Sequence, residues 1–356
     1  MADISIIVPL DGSRAQFLAL CDSMAKTEEG ISQIVVVKPS GNEIEDVDFG
    51  ALPVEPLVIE ANGTLGELWN AGVAACTSEY VYPASCRIRF SKAFYHVCCA
   101  QVTRAPVDLL FFHLQEFDLA TQSYSTTRPS MRLSIPAEPF APSQYGRHLI
   151  QRLSANACSA VFSKRFLAER GFSFSAVASF DDDPGLPRLI ASAESISRLP
   201  WPLVVLAYDS GTMFDEVGDD AFMERYACFV REYGESLPLG PAFDSFIEWA
   251  VAFASRHIEH APNDLGNRML ESMGENILPI IAEHLENRRD TVYLEGADYL
   301  LLSNLSRREL IDMVRETRTM GAEESYRAEM LEIAVKRLSV GDLGSRRPKK
   351  KGLFRR

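Results

Sequence analysis

Residues 61–90 read ANGTLGELWNAGVAACTSEYVYPASCRIRF. Asn62-Gly63 breaks the chain, because these two residue types adopt the turn geometries that others resist. The twelve residues that follow, 64–75, place Leu65, Leu68, Trp69 and Val73 on one helical stripe. A β-branched and aromatic run, EYVYP at 79–83, then reads as a strand. A helix delivering a short strand rich in β-branched and aromatic residues implies a parallel, two-sided sheet, whose ligand side is the edge where the strands end. At that edge stands Ser85-Cys86-Arg87, with Arg89 close behind.

The flanking sequence repeats this grammar. ISIIVPL at 4–10 is a continuous strand-like run, and Phe17, Leu18, Cys21 and Met24 mark a helix over 14–25. IVVV at 34–37 and LVIE at 57–60 are two more strands, the first halted by Lys38-Pro39-Ser40-Gly41. Residues 91–103 read as a helix, VDLLFFHLQEFDL at 107–119 as a strand, and the Ser-, Thr- and Pro-rich 120–146 as an excursion. Helical periodicity returns over 147–170 and ends at Arg170-Gly171, with the glycine at a C′ position. LVVLAYD at 203–209 is the last expected strand. From about 217 the pattern is helical, so the expected division is an α/β domain over 1–215, a helical extension over 216–340 and a basic tail over 341–356.

The order of these elements, with the residues at their ends, resembles the GT-A domain of family 2 glycosyltransferases. ISIIVP at 4–9 stands where that family opens its domain. Asn62, Gly63, Asn70, Gly72, Glu79 and Tyr80 stand where it has an Asn-Gly turn, a helix and a Gly-Glu-Tyr strand. ACSAVFSKRFLAERGFSF at 157–174 looks like its acceptor-side helix, followed by the acidic cluster Asp181-Asp182-Asp183. The likeness reaches about residue 209, where AYD replaces the usual Tyr-Tyr-Arg. It implies an α/β fold, a GT-A-like Rossmann-type mixed sheet sandwich, with the all-helical extension added at the C-terminal side.

The resemblance also implies chemistry. A nucleotide-sugar donor is a diphosphate whose charge rises as the sugar leaves, and a divalent cation, Mn or Mg, held by carboxylates is expected to neutralise it. A further carboxylate, here Asp182 or Asp183 by position, would take the proton of a glycan or lipid-linked acceptor hydroxyl. Donor-binding positions carried over by the likeness are Pro9, Lys38, Asn62, Gly63, Ser85 and Arg87. Three departures stand out: Lys38-Pro39 replaces the nucleoside-binding acids, Trp69 replaces an arginine, and Ser85-Cys86-Arg87 replaces the metal carboxylates. A hydroxyl and a thiol are weak ligands for a hard cation, and a guanidinium repels one.

Two readings of the site follow. Lys38, Arg87 and Arg89 could bind the diphosphate directly, in a transferase working without a metal. Alternatively the chain is an inactive GT-A-like scaffold or regulatory module for cell-surface polysaccharide synthesis. Individual residues also carry plainer roles: Asp181–Asp183 as the acidic start of a helix, Asn62-Gly63 as a turn, His113 as a core or edge-strand histidine, and His257 and His260 as a solvated helix face.

Bulk properties restrict partners. The formal net charge is −13, which argues against nucleic acid. The seven cysteines form no Cys-x-x-Cys pair, and the N-terminus has no basic stretch before its apolar run. A reducing cytoplasm is the expected setting, with buried free thiols at Cys98 and Cys99. The last eleven residues, RRPKKKGLFRR, hold seven Lys or Arg and no acid, so the remaining 345 residues carry a balance of −20. Such a tail is expected either to solubilise or to draw the protein to an anionic membrane at the inner face of the plasma membrane, at about 1 kcal/mol per basic residue. Sedimented vesicles containing anionic lipid should retain the full chain but not a version ending at Ser345; equal retention would exclude the membrane role.

Overall fold

The structure is a computed structural model and describes residues 2–27, 31–41, 49, 52–124, 138–144, 149, 153, 156–178, 183–208, 228, 231 and 232. All of these fall in one compact unit, Met1–Trp249. The expectations for 216–340 and for the tail lie outside the described residues, apart from Cys228, Arg231 and Glu232.

Nine strands form one mixed sheet. Within its parallel part lies β1 (Ile4–Pro9), every residue of which is buried. This explains the unbroken apolar run: β1 is flanked in parallel by β2 (Gln33–Lys38) and β4 (Tyr80–Pro83). β3 (Leu57–Glu60) pairs in parallel with β2 and forms the outer edge, where Leu57 and Val58 face outward. On the other side the order is β4, β8 (Ala160–Ser163), β6 (Leu109–Asp118), β9 (Ile196–Tyr208) and β5 (Ile88–Phe90). β8 runs antiparallel to both β4 and β6, while β6 and β9 are parallel. β7 (Ser123–Tyr124) closes a hairpin on β6.

Three of these strands, β5, β7 and β8, are not visible in the sequence pattern, β7 lying in the stretch read as an excursion. Residues 157–163, read as part of a helical stretch, are a 3-10 turn followed by β8, and Lys164–Glu169 is a helix (α4). The last strand is also longer than expected, because β9 carries the exposed bulge Pro200-Trp201-Pro202 where its register against β6 shifts. The C′ glycine is as read: Gly171 has φ +57°, in the left-handed region. His113 is a buried residue of β6. All seven cysteines are free thiols, and Cys98 and Cys99 are buried.

Helix α1 (Arg14–Ala25) begins at a capping box, in which the Ser13 hydroxyl accepts from the Gln16 amide and the Gln16 carbonyl oxygen accepts from the Ser13 amide. It buries Phe17, Leu20, Cys21 and Met24, whereas Leu18 points outward. Helix α2 (Leu65–Ala75) packs much closer to its neighbours than a usual helix. A Cβ on Gly72 would lie 2.2 Å from Ile7 Cγ2 of β1, and one on Gly66 would lie 1.9 Å from the Ser175 carbonyl oxygen. Asn70 fixes the same segment, its amide donating to the Phe174 carbonyl and accepting from the Phe174 N–H, both at 2.8 Å. Helix α3 (Phe94–Arg104) covers the far half of the sheet, where Tyr82, Phe90, Phe94 and Phe112 stack with ring centroids 4.6–5.9 Å apart. Such a cluster stabilises by burial and by about 0.5–1.5 kcal/mol per aromatic pair. Helix α5 (Leu186–Ser192) precedes β9. Among the described residues no helix is long and apolar enough to cross a membrane.

The Gly66 approach is testable. Alanine would gain about 1 kcal/mol of helix propensity, yet overpacking against a backbone carbonyl costs about 1–3 kcal/mol or more. Gly66→Ala should therefore lower stability in chemical denaturation; a variant as stable as wild type would mean that Ser175 does not seat on α2.

Candidate functional site

Because β1 to β4 are mutually parallel, their C-terminal ends converge on one edge of the sheet. Pro9, Lys38, Asn62, Gly63, Ser85 and Arg87 all occur at that edge, on the last residues of these strands or in the loops that follow. They form two groups.

The first is the turn after β4. Backbone groups beyond a strand end have lost their ladder partners and must find others. Here they do so almost residue by residue. The Ala84 N–H donates to the Ile7 carbonyl, and the Ala84 carbonyl accepts from the Trp69 indole N–H at 2.8 Å. The Ser85 carbonyl accepts from Ile88 N–H, and the Ser85 hydroxyl accepts from Arg87 N–H. The Cys86 N–H donates to Asp11 Oδ1 at 2.8 Å, and the Cys86 thiol donates to the Pro9 carbonyl. Arg89 Nη1 donates to the carbonyls of both Cys86 and Ile88, and the Arg87 carbonyl accepts from Ala207 N–H of β9. Ser85 and Cys86 are fully buried, while Arg87 and Arg89 are half-buried.

This bonding decides what the residues can do. Burial pushes the Cys86 thiol well above its ordinary pKa, and the neighbouring Asp11 carboxylate adds to the shift, so the sulfur is a neutral hydrogen-bond donor. Burial draws the Arg89 pKa down, and its Nη1 is held by two of the turn's own carbonyls. A buried hydroxyl, a neutral thiol and a guanidinium do not fit a divalent cation. Among the described residues, no group of three or more His, Cys, Asp or Glu could hold a metal ion.

The second group joins the ends of β2 and β3. Lys38 is half-buried, and its carbonyl accepts from Ala61 N–H. Asn62 is exposed, but its side chain accepts from Ser40 N–H at 2.7 Å and donates to the Ser40 hydroxyl. Asn62 thus ties the two loops together. Gly63 has φ +133°, and a Cβ there would lie 2.3 Å from the Glu67 carboxylate that accepts from Thr64 N–H in the cap of α2. The turn requires glycine whether or not a ligand sits above it.

Asp183 lies elsewhere. It is fully buried, with Oδ2 accepting from Ser175 N–H at 2.5 Å and Oδ1 accepting from Gly185 N–H at 2.7 Å just before α5. The Ser175 hydroxyl in turn donates to Glu232. Burial is the main cause that raises the Asp183 pKa to about 6; the two amide bonds oppose it and Glu232 adds to it. Asp182 lies outside the described residues.

Asp11 is the residue that sequence reasoning overlooked. An acid immediately after ISIIVPL and before the Gly12-Ser13 cap is the available signal.

No protein-family model and no curated protein sequence matches this chain. Solved structures do. The chain superposes on S. aureus TarS 1–349 in complex with UDP-GlcNAc with a TM-score of 0.56 and 15% identity, covering 90% of this chain and 92% of that one. The same TarS piece in complex with UDP gives 0.53 and 13%, and the longer TarS gives 0.55 over 88% of this chain and 55% of that one. The fold is that of a GT-A glycosyltransferase. Within that GT-A frame, the 84–88 turn occupies the end of the strand where the family's metal carboxylates were expected, and it is built from backbone-satisfying side chains instead.

Asp183 gives a test of this geometry. Its proton is held more tightly in the folded state, at a pKa of about 6, than in the unfolded chain at about 3.9. Folding is therefore favoured when the group is neutral: this contribution is full below about pH 4 and is lost as pH rises through about 6, by roughly 3 kcal/mol in all. Asp183→Ala leaves two N–H donors without acceptors, at about 1–3 kcal/mol each. Denaturant midpoints should show wild type ahead of the variant, with the gap narrowing from pH 5 to pH 7.5; a gap that widens would overturn the assignment.

Proposed function

We propose that this chain is a glycosyltransferase whose donor diphosphate is bound by protein cations in place of a metal ion. The observation that carries the reading is the 84–88 turn, which sets Arg87 at the C-terminal end of β4 on a platform of hydrogen bonds. The likeness to TarS, whose structures hold UDP-GlcNAc and UDP, supports a nucleotide-sugar as the donor class. Arg87 can offer two parallel N–H bonds to phosphate oxygens, and Lys38 at the end of β2 supplies a second positive charge at the same edge. These cations stabilise the charge that grows on the leaving diphosphate.

In the step itself the bond from the anomeric carbon to the phosphate oxygen breaks, and the nucleoside diphosphate leaves with the electron pair. The acceptor hydroxyl oxygen forms the new bond, and its proton passes to a carboxylate. Asp182 and Asp183 are the candidates by position. Both Asp183 oxygens already accept backbone N–H bonds, which suits a role in holding the segment, so the reading places the base on Asp182. A glycan or lipid-linked hydroxyl is the acceptor class, and the basic tail would bring the protein to the anionic surface where lipid-linked acceptors lie.

A second reading, an inactive GT-A scaffold for cell-surface polysaccharide synthesis, draws on the same turn: every acid expected there is gone. Calorimetry with uridine, guanosine and cytidine diphosphates, with and without manganese, separates the two. The transferase reading expects binding of one nucleotide without metal, weakened about 10- to 100-fold by Arg87→Ala, as removal of a charge-assisted contact implies. Manganese-dependent binding would refute the protein-cation site. Failure of all three nucleotides to bind would favour the scaffold.

A further inference from the structure

The end of β1 with its following loop and the turn after β4 are held together by contacts that include three described residue pairs. Cys86 N–H donates to Asp11 Oδ1 at 2.8 Å, and the Cys86 thiol donates to the Pro9 carbonyl at 3.3 Å. The third point is steric: a Cβ on Gly12 would lie 2.9 Å from Cys86 Cβ, so only glycine lets the loops approach this closely. The Asp11 bond is made by an exposed side chain. It also engages the backbone N–H of Cys86, the residue that precedes Arg87 in the turn.

Resting on the donor reading above, we propose that Asp11 is a positioning residue for nucleotide binding, which acts through Arg87 by fixing the Cys86 amide. Asp11 does not itself attract the ligand, since a carboxylate beside a diphosphate repels it. Its contribution is the acceptor oxygen, not the charge. An amide carbonyl in the same place can do that work, and a methyl group cannot. A purely structural brace would instead change stability and leave the affinity of the folded protein alone.

The probe is uridine diphosphate, or whichever nucleoside diphosphate the wild type binds, titrated calorimetrically into the full chain. The proteins are wild type, Asp11→Asn, Asp11→Ala, Arg87→Ala and the Asp11→Ala/Arg87→Ala double variant, with melting temperatures measured alongside. Asp11→Ala is expected to weaken binding about 5- to 10-fold, and Asp11→Asn to restore it to wild-type strength or slightly better. In the Arg87→Ala background, Asp11→Ala should cost less than 2-fold, because the group it positions is gone. Equal losses in both backgrounds, no loss in either, or a loss for Asp11→Asn matching that for Asp11→Ala would each overturn the proposal. A fall in melting temperature with unchanged affinity would make Asp11 a structural brace only. Wild type that binds while Arg87→Ala changes nothing would defeat the donor reading itself, and the inference with it; absence of any nucleotide binding would do the same.

Discussion

Helix α2 reaches its neighbours only because two of its residues have no side chain. Gly72 lets it sit against Ile7 of β1, and Gly66 lets the Ser175 carbonyl come up to its first turn. From that seat three consecutive functions follow along one helix. Trp69 donates its indole N–H to Ala84 at the mouth of the 84–88 turn, Asn70 clamps both backbone groups of Phe174, and Glu67 caps the helix beneath Gly63. The strand-end turn and the segment leading to Asp183 are thereby referred to the same rigid element. A shift of α2 would move both.

The position of Trp69 shows how altered chemistry can keep an architecture. The related fold was expected to have an arginine there. A buried indole with one N–H can satisfy one carbonyl and fill the space beside Phe174, whose ring centroid lies 5.1 Å away. An apolar side chain with a single donor therefore holds the turn without bringing a charge into the core. Arg89 complements it from the other side, carrying its charge to two carbonyls at the half-buried surface of the turn.

Much of this was legible in the residues. β1, β2 and β4 announce themselves because strands covered on both faces have no need of polar alternation, and the stripe of α2 is long enough to fix its period. β5, β7 and β8 were not, because two to four residues carry no usable period and AVFS sits directly before a helix. At the site, the sequence exposed the loss of acids in Ser85-Cys86-Arg87 and the strand end they occupy. It could not expose what took their place. Whether Arg89 meets a ligand or a carbonyl, and whether Asp11 reaches the Cys86 amide, depends on loops brought together across 75 residues of chain. Asp183 is similar: its acidity read as chemistry or capping, and only the fold showed both its oxygens committed to amides.

A metal site of the usual kind gathers carboxylates whose mutual repulsion is relieved only when the cation is bound. The 84–88 turn is ordered beforehand, with its backbone groups bonded to β1, β9 and its own side chains. Fixing a residue's backbone costs about 1–2 kcal/mol of conformational entropy. In this protein that cost is met once, during folding, and any molecule that docks on the turn is spared it.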